Sequence, residues 1–114
     1  MKCSAEKKSV KKGIVLPLKK LIGYAPGAIV SKTLLDNKAG TITLFAFARG
    51  QGLSEHSAPY DAVVQIIEGR AEIRVGGVPH ELSEGEMIIM PANIPHAVQT
   101  LTKFKMLLTM IRGK

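Results

Sequence analysis

The chain has 114 residues, of which 46% are hydrophobic, so it can form one ordered domain around a single core and has no room for a second. Its net charge of +7 lies at its two ends, because residues 33–101 carry four basic and eight acidic residues. No aromatic residues alternate with the terminal lysines and no run of 18 apolar residues occurs, so we expect neither a nucleic-acid partner nor a membrane span.

The first 27 residues are predicted to form a basic N-terminal segment with a short helix that packs on the main body. Leu18, Leu21 and Ile22 are spaced three and four apart, as on one face of a helix. They follow Pro17, and proline is favoured in the first turn of a helix. Two glycines and a proline then interrupt the chain.

Residues 28–112 are predicted to form an all-β domain. Runs rich in Val, Ile and Leu alternate with turn signals, and such runs favour strands. Gly76-Gly77, between two alternating runs, predicts a hairpin. Short, evenly spaced strands with glycine at the corners indicate an antiparallel sandwich or barrel. The predicted strands are 28–35, 41–48, 63–67, 71–75, 78–82, 87–90, 97–101 and 104–111.

Both faces of the last predicted strand are largely apolar. Its residues alternate between two sets, Phe104, Met106, Leu108 and Met110 on one face and Lys105, Leu107, Thr109 and Ile111 on the other. One face belongs to the core, and an interface between subunits would cover the second. We therefore expect a homodimer.

The cysteine content indicates a reducing compartment. Cys3 is the single cysteine and cannot form an internal disulfide. A group of lysines near the start resembles the basic part of an export signal, but the apolar stretch after it, residues 13–18, is too short for one. We therefore expect a cytoplasmic protein.

Two blocks punctuated by glycine and proline each contain one histidine. They read Gly50-x5-His56-x-Ala58-x3-Ala62-x6-Gly69 and Gly85-x5-Pro91-x-Asn93-x2-His96-x3-Thr100. These blocks resemble the two motifs of the cupin superfamily, which read glycine, histidine, histidine, glutamate, glycine and then glycine, proline, glycine, histidine, asparagine. The resemblance implies a double-stranded β-helix, or jelly-roll, barrel with a pocket between the motif strands.

The resemblance also implies a metal site, and this chain retains only half of its ligands. Metal-binding cupins use three histidines and one glutamate; His56 and His96 stand at histidine positions, whereas Ala58 replaces a histidine and Ala62 the glutamate. Two imidazoles alone are a poor divalent site. Asp61 would become a third ligand only if the strand carried a bulge, since regular alternation points it away from the pocket. The resemblance thus implies either a divalent transition metal (Fe, Mn, Zn, Ni or Cu), weakly held by the two histidines, or no cofactor.

The alanines leave volume in the predicted pocket. If the chain stays extended, residues 56, 58, 60 and 62 share one face, as do residues 96 and 98. Met90, Met106 and Met110 would make the wall adaptable, although methionine is more often plain core. A mostly apolar cavity with a few polar groups is the usual form of a small-molecule site. The predicted lining is His56, Ala58, Tyr60, Ala62, Val64, Met90, His96 and Val98.

Two functions follow from this pocket. The first is a protein that binds or senses an unknown small molecule, which hydrogen-bonds to His56 and His96. The alternative is a metal-dependent oxygenase or isomerase acting on a small organic acid or sugar, with Asp61 or water completing the coordination. The binding function is favoured, because no general base, nucleophile or complete ligand set is visible beyond the two histidines.

Overall fold

The computed structural model describes residues 10–113; Cys3 and the other residues before Val10 lie outside the described residues, as does Lys114. Within residues 10–113 the chain forms one short helix and nine strands. They are α1 (Leu18–Leu21), β1 (Ile29–Asn37), β2 (Gly40–Phe47), β3 (Gly52–His56), β4 (Asp61–Glu68), β5 (Arg70–Val75), β6 (Val78–Ser83), β7 (Met87–Met90), β8 (His96–Thr100) and β9 (Phe104–Ile111). Across this range no helix has the length and apolar character needed to cross a membrane.

The strands form two antiparallel sheets. One has five strands in the order β1-β2-β9-β4-β7, and the other has four in the order β3-β8-β5-β6. Strands distant in the sequence are therefore neighbours: β9 lies between β2 and β4, and β8 between β3 and β5. This is the jelly-roll barrel predicted from the sequence, and the all-β prediction with a short N-terminal helical turn is confirmed.

All eight predicted strands are present, with bounds that shift by no more than two residues. The sequence did not predict β3, the strand that carries His56. Four of its five residues are exposed, so it lacks the apolar alternation that marks a strand. It is held in place by pairing with β8 rather than by burial of its own side chains.

The main core fills the space between the two sheets. All three phenylalanines of the chain belong to it, although aromatic residues are scarce overall. Phe47 and Phe104 lie on the paired strands β2 and β9 and stack with ring centroids 4.5 Å apart. Stacked pairs of this kind contribute about 1 kcal/mol beyond the burial of their area.

A second apolar cluster lies on the outer face of the five-stranded sheet. Ile22, just after α1, is buried against Leu44 of β2, and Leu107 of β9 packs on the same cluster. The N-terminal segment therefore covers part of the second apolar face of β9. The sequence alone predicts a subunit interface over this second face. Ile111, near the end of β9, stays 53% exposed.

A polar contact joins the N-terminal segment to this sheet. The buried Lys105 donates from Nζ to the carbonyl oxygen of Lys19 and lies 4.0 Å from Oε2 of Glu68. The same Oε2 accepts a 2.7 Å hydrogen bond from the hydroxyl of Tyr24. Burial, together with this bond to Glu68, raises the pKa of Tyr24 above its ordinary value of 10.0.

Candidate functional site

Two histidines meet at one end of the barrel. His56 is the last residue of β3 and His96 the first residue of β8, and the two residues are paired across these strands. Their ring centroids are 4.4 Å apart, and the ring planes are inclined at 74°. His96 is only 6% exposed, whereas His56 lies at the surface. Strand pairing thus brings together two residues that are far apart in the sequence.

The hydrogen bonds of the two rings determine which nitrogen is free. Nδ1 of His56 lies 2.7 Å from the carbonyl oxygen of Ser54, and Nδ1 of His96 lies 3.2 Å from that of Ile94. A carbonyl oxygen can only accept, so in the neutral rings Nδ1 carries the proton and Nε2 carries a lone pair. The pair therefore offers two Nε2 acceptors to a ligand.

The surroundings of His96 favour its neutral form. Burial lowers the pKa of its imidazole below the ordinary value of 6.5, and the neighbouring His56 lowers it further. The bond to the carbonyl of Ile94 acts in the opposite direction but is the smallest of the three effects. At neutral pH, Nε2 of His96 is therefore available as an acceptor.

Both histidines line a cavity of about 100 Å³ between the two sheets. Apart from the two imidazoles, every lining side chain is apolar. The other lining residues are Leu53, Ala58, Ala62, Val64, Met90, Val98, Met106, Leu108 and Met110. An apolar cavity with a few convergent polar groups has the usual composition of a small-molecule site.

Ala62 lies between two methionines on the wall of this cavity. It pairs with Met90 of β7 on one side and with Met110 of β9 on the other. Residues directly opposite each other in antiparallel strands project from the same face, so the two methionines flank Ala62 on the cavity side. A larger side chain at position 62 would fill the space between them.

The two motif loops are joined at the mouth of the cavity. The backbone N–H of Asn93 donates a 2.7 Å hydrogen bond to the carbonyl oxygen of Ala58. Asn93 adopts a positive φ of 66° and stands where the cupin motif has a glycine. Asparagine is among the few residues other than glycine that visit this region readily, which explains how the loop keeps its shape without the glycine.

Seven of the eight residues predicted to line the pocket lie on the cavity wall, and Tyr60 does not. The prediction for Tyr60 assumed that the chain stays extended from residue 56 to residue 62. Instead the chain leaves β3 after His56, bends at residues 59 and 60, and enters β4 at Asp61. The strict alternation is lost in the bend, although Ala58 and Ala62 still line the cavity.

Asp61 is not among the lining residues either. Pairing between β4 and β9 is regular from Asp61 to Ile66, so the bulge that would turn the carboxylate inward is not present there. Asp61 is exposed, and its Oδ1 accepts a 2.9 Å hydrogen bond from the backbone N–H of Ala92. It thereby ties the start of β4 to the loop that leads to His96.

The residues at this site do not fit the divalent metal set that the cupin resemblance implies. Its wall has two imidazoles and no carboxylate. Within residues 10–113, no group of three or more His, Cys, Asp or Glu is arranged to hold a metal ion. The missing ligands correspond to Ala58 and Ala62.

Leu53 and Leu108 also line the cavity, although neither is predicted from the sequence. Leu53 lies on the unpredicted strand β3. Leu108 lies on the same face of β9 as Met106 and Met110, as strand alternation predicts. All three residues line the cavity.

Larger depressions lie elsewhere on the surface. One of about 370 Å³ runs along β3 and β8, and another of about 450 Å³ lies beside Tyr24 and Lys103. Both are open to solvent, and neither is lined by a histidine. The smaller and more enclosed cavity holds the convergent polar atoms, so it is the better candidate site.

Comparisons with known proteins agree with the cupin fold inferred from the sequence motifs and the strand order. A family model for the cupin domain matches residues 43–112, more than half of the chain. None of the curated proteins matches.

Three solved structures are closely similar. A protein of unknown function from Streptococcus pyogenes is 34% identical, covers 94% of each chain and has a TM-score of 0.88. A cupin 2 conserved barrel domain protein from Leptotrichia buccalis is 38% identical over 85% of this chain and 47% of its own, with a TM-score of 0.82. A cupin superfamily protein from Desulfitobacterium hafniense is 28% identical over 96% of this chain and 100% of its own, with a TM-score of 0.85. The chain therefore belongs to the cupin superfamily.

Proposed function

We propose that this cupin binds or senses a small organic molecule in the cavity of His56 and His96. The observation that carries the proposal is the combination of two imidazoles, each with its Nδ1 on a backbone carbonyl oxygen, with an otherwise apolar wall. A matching ligand has a compact apolar body and O–H or N–H groups that donate to the imidazoles. An anionic ligand is a poor match, because the lining includes no Lys or Arg side chain to pair with it.

The size of the cavity limits the size of the ligand. The cavity measures about 100 Å³. An engineered cavity of about 150 Å³ in another protein holds benzene, so a ligand of roughly six non-hydrogen atoms is near the upper limit here. Small alcohols, diols and amines belong to this class.

The experiment combines native mass spectrometry of the purified, untagged protein with calorimetric titration of such compounds. We expect one ligand per chain. His56→Ala and His96→Ala should each weaken binding about fivefold, which corresponds to the loss of one hydrogen bond of about 1 kcal/mol. Ala62→Leu should abolish binding by filling the space between Met90 and Met110.

The matched control is His80→Ala, since His80 lies on β6, is exposed and does not line the cavity. It should bind as the wild type does. Unchanged binding in Ala62→Leu, or an equal loss in His80→Ala, would contradict the proposal.

A second candidate is a metal-dependent oxygenase or isomerase acting on a small organic acid or sugar. It is supported by the same two Nε2 atoms and opposed by the lack of a carboxylate in the wall. Metal analysis of untagged protein separates the two candidates. Stoichiometric iron, manganese, zinc or nickel, lost in His56→Ala or His96→Ala, would favour the enzyme.

A homodimer is also part of the proposal. It is supported by apolar side chains that remain exposed on the five-stranded sheet: on β7 Met87 is 52% and Ile89 60% exposed, and on β9 Ile111 is 53% exposed. Apolar side chains exposed together on one sheet are typical of an association surface. Light scattering at micromolar concentration tests this, and a monomer would contradict it, whereas Ile89→Lys should dissociate a dimer.

A further inference from the structure

The cavity contains thioether sulfurs as well as imidazoles. Met90, Met106 and Met110, three of the five methionines of the chain, line it together with His56 and His96. We propose that this cavity binds a single cuprous ion, Cu(I), through Nε2 of both histidines and Sδ of Met90 and Met110. The inference rests on the proposed function in one respect, namely that the two Nε2 atoms are free to meet a ligand in the cavity.

The two kinds of ligand come from opposite sides of the barrel. The imidazoles project from β3 and β8 of the four-stranded sheet, and the thioethers project from β7 and β9 of the five-stranded sheet. Packed sheets lie about 10 Å apart, so long side chains from the two inner faces meet between them.

Ala62 leaves the centre of this arrangement open. It is paired with both Met90 and Met110, so these two methionines lie on either side of its methyl group. No larger side chain competes for the space in front of them. The residue that removes the carboxylate of the usual metal site is therefore the residue that gives two sulfurs access to the cavity.

Met106 has a different place in the wall. It lies four positions before Met110 on β9, pairs with Ile66 and is 1% exposed within the core. Four residues of a strand span about 13 Å, so Met106 forms the deep end of the cavity rather than a ligand beside the histidines.

The chemistry of this donor set distinguishes Cu(I) from the divalent metals. Thioether and imidazole donors suit Cu(I), whereas manganese prefers oxygen ligands and zinc prefers sites that include thiolate, carboxylate or a third imidazole. All four proposed ligands are neutral. The cost of moving an ion from water into an apolar cavity grows with the square of its charge, so a wall without an anion favours a monovalent ion.

The test must separate a sulfur ligand from plain apolar packing. Leucine replaces methionine at similar volume, so Met90→Leu and Met110→Leu preserve packing and remove only the sulfur. The matched control is Met87→Leu, because Met87 is exposed on the outer face of β7 and does not line the cavity.

The experiment is an anaerobic titration of the untagged protein with Cu(I) in competition with a coloured Cu(I) chelator, with Zn(II) and Mn(II) titrated in parallel. We expect one equivalent of Cu(I), no stoichiometric Zn(II) or Mn(II), and at least a tenfold loss of Cu(I) affinity in the Met90→Leu/Met110→Leu variant. Met87→Leu should bind as the wild type does. X-ray absorption at the copper edge of the loaded wild type should show both sulfur and nitrogen neighbours, a measurement that does not depend on how any variant folds.

Failure to bind Cu(I), a copper shell without sulfur, or wild-type affinity in a folded double leucine variant would each overturn the inference. The two proposals fail separately. Absence of Cu(I) binding in a protein that retains a small organic ligand overturns only this inference. Sulfur-bound Cu(I) in a protein that binds none of the small organic compounds overturns only the proposed function.

Discussion

The imidazole of His56 stands edge-on to that of His96, 4.4 Å away, and each ring fixes its Nδ1 on a backbone carbonyl two residues earlier. The backbone alone thus orients both rings, without the carboxylate partners that often orient metal-binding histidines. The geometry of the pair therefore does not depend on a bound metal. The residues around the pair set the space and the charge inside the cavity, above all Ala58 and Ala62, which stand where the cupin motif has a histidine and a glutamate.

Ala58→His together with Ala62→Glu should create a divalent metal site, because both residues line the cavity at the positions of the missing cupin ligands. Without metal, the buried carboxylate should lower the free energy of unfolding by about 1–3 kcal/mol. Addition of Mn(II) or Zn(II) at a hundred times its dissociation constant should restore about 2.7 kcal/mol. Thermal denaturation with and without metal measures both effects.

The control for this stabilisation by metal is the variant Ala58→His/Ala62→Gln. Glutamine has a volume similar to that of glutamate but gives the metal no anionic ligand. This control variant should show a much smaller response to metal. A comparable rise in the melting temperature of the wild type would contradict the prediction, since it would mean that two imidazoles already suffice.

Gly69→Ala should destabilise the protein more than Gly77→Ala. Both glycines have a positive φ, 81° and 82°, so each substitution costs about 1–2 kcal/mol through the backbone alone. At Gly69 a Cβ would also overlap the carbonyl oxygen of Lys103 and lie 2.9 Å from Cβ of Phe104, whereas at Gly77 it meets nothing within 4 Å. We therefore expect Gly69→Ala to lower the free energy of unfolding by about 1–3 kcal/mol more than Gly77→Ala does, as measured by urea denaturation. Equal losses would show that the turn can shift.

The turns and most strands were predictable because their causes are local. The Gly76-Gly77 hairpin is present between β5 and β6, with both glycines at positive φ. The alternating apolar runs became strands because their periodicity matches burial on one face of a sheet. These features depend on residues that are adjacent in the sequence.

The features that sequence reasoning missed depend on distant partners. β3 is a strand because β8 lies beside it, and its own exposed residues carry no such signal. Tyr60 does not line the cavity because the chain bends at residues 59 and 60, just before β4. Strand alternation does not predict such a bend. Asp61 points away from the cavity, as regular alternation predicts, but the contact of its carboxylate with Ala92 of the other motif could not be predicted from the sequence. The cavity and its methionines could be predicted from the sequence, but the register that places Met90 and Met110 on either side of Ala62 required the order of the strands.

Tyr24→Phe should lower the free energy of unfolding by about 1–2 kcal/mol at neutral pH, because it removes the hydrogen bond to the carboxylate of Glu68. Phenylalanine keeps the ring over which Nζ of Lys103 and of Lys105 lie, at 4.7 and 5.1 Å from the centroid. The comparison therefore isolates the hydroxyl. Urea denaturation of both proteins measures the difference.

The pH dependence of this difference follows from the raised pKa of Tyr24. A tyrosine whose pKa is higher in the folded state contributes its full stability below its ordinary pKa of 10.0 and loses it as the pH rises through the folded value. The gap between wild type and Tyr24→Phe should thus be constant up to about pH 10 and shrink above it. In a Tyr60→Phe background, tyrosinate absorbance should show Tyr24 ionising above its ordinary pKa, and ionisation at that ordinary value would contradict the prediction.

Asp61→Ala should loosen the loop that leads to His96 without removing a ligand from the cavity. Its carboxylate accepts the hydrogen bond from the N–H of Ala92, and its position on β4 directs it away from Ala62 and the cavity. We expect a loss of about 1 kcal/mol in stability and faster hydrogen exchange at the Ala92 amide. Asp61→Asn keeps an acceptor oxygen and should recover most of both. The contrary outcome is a loss of bound metal. If Asp61 completed a metal site with His56 and His96, both Asp61→Ala and Asp61→Asn would lower the metal content of the protein.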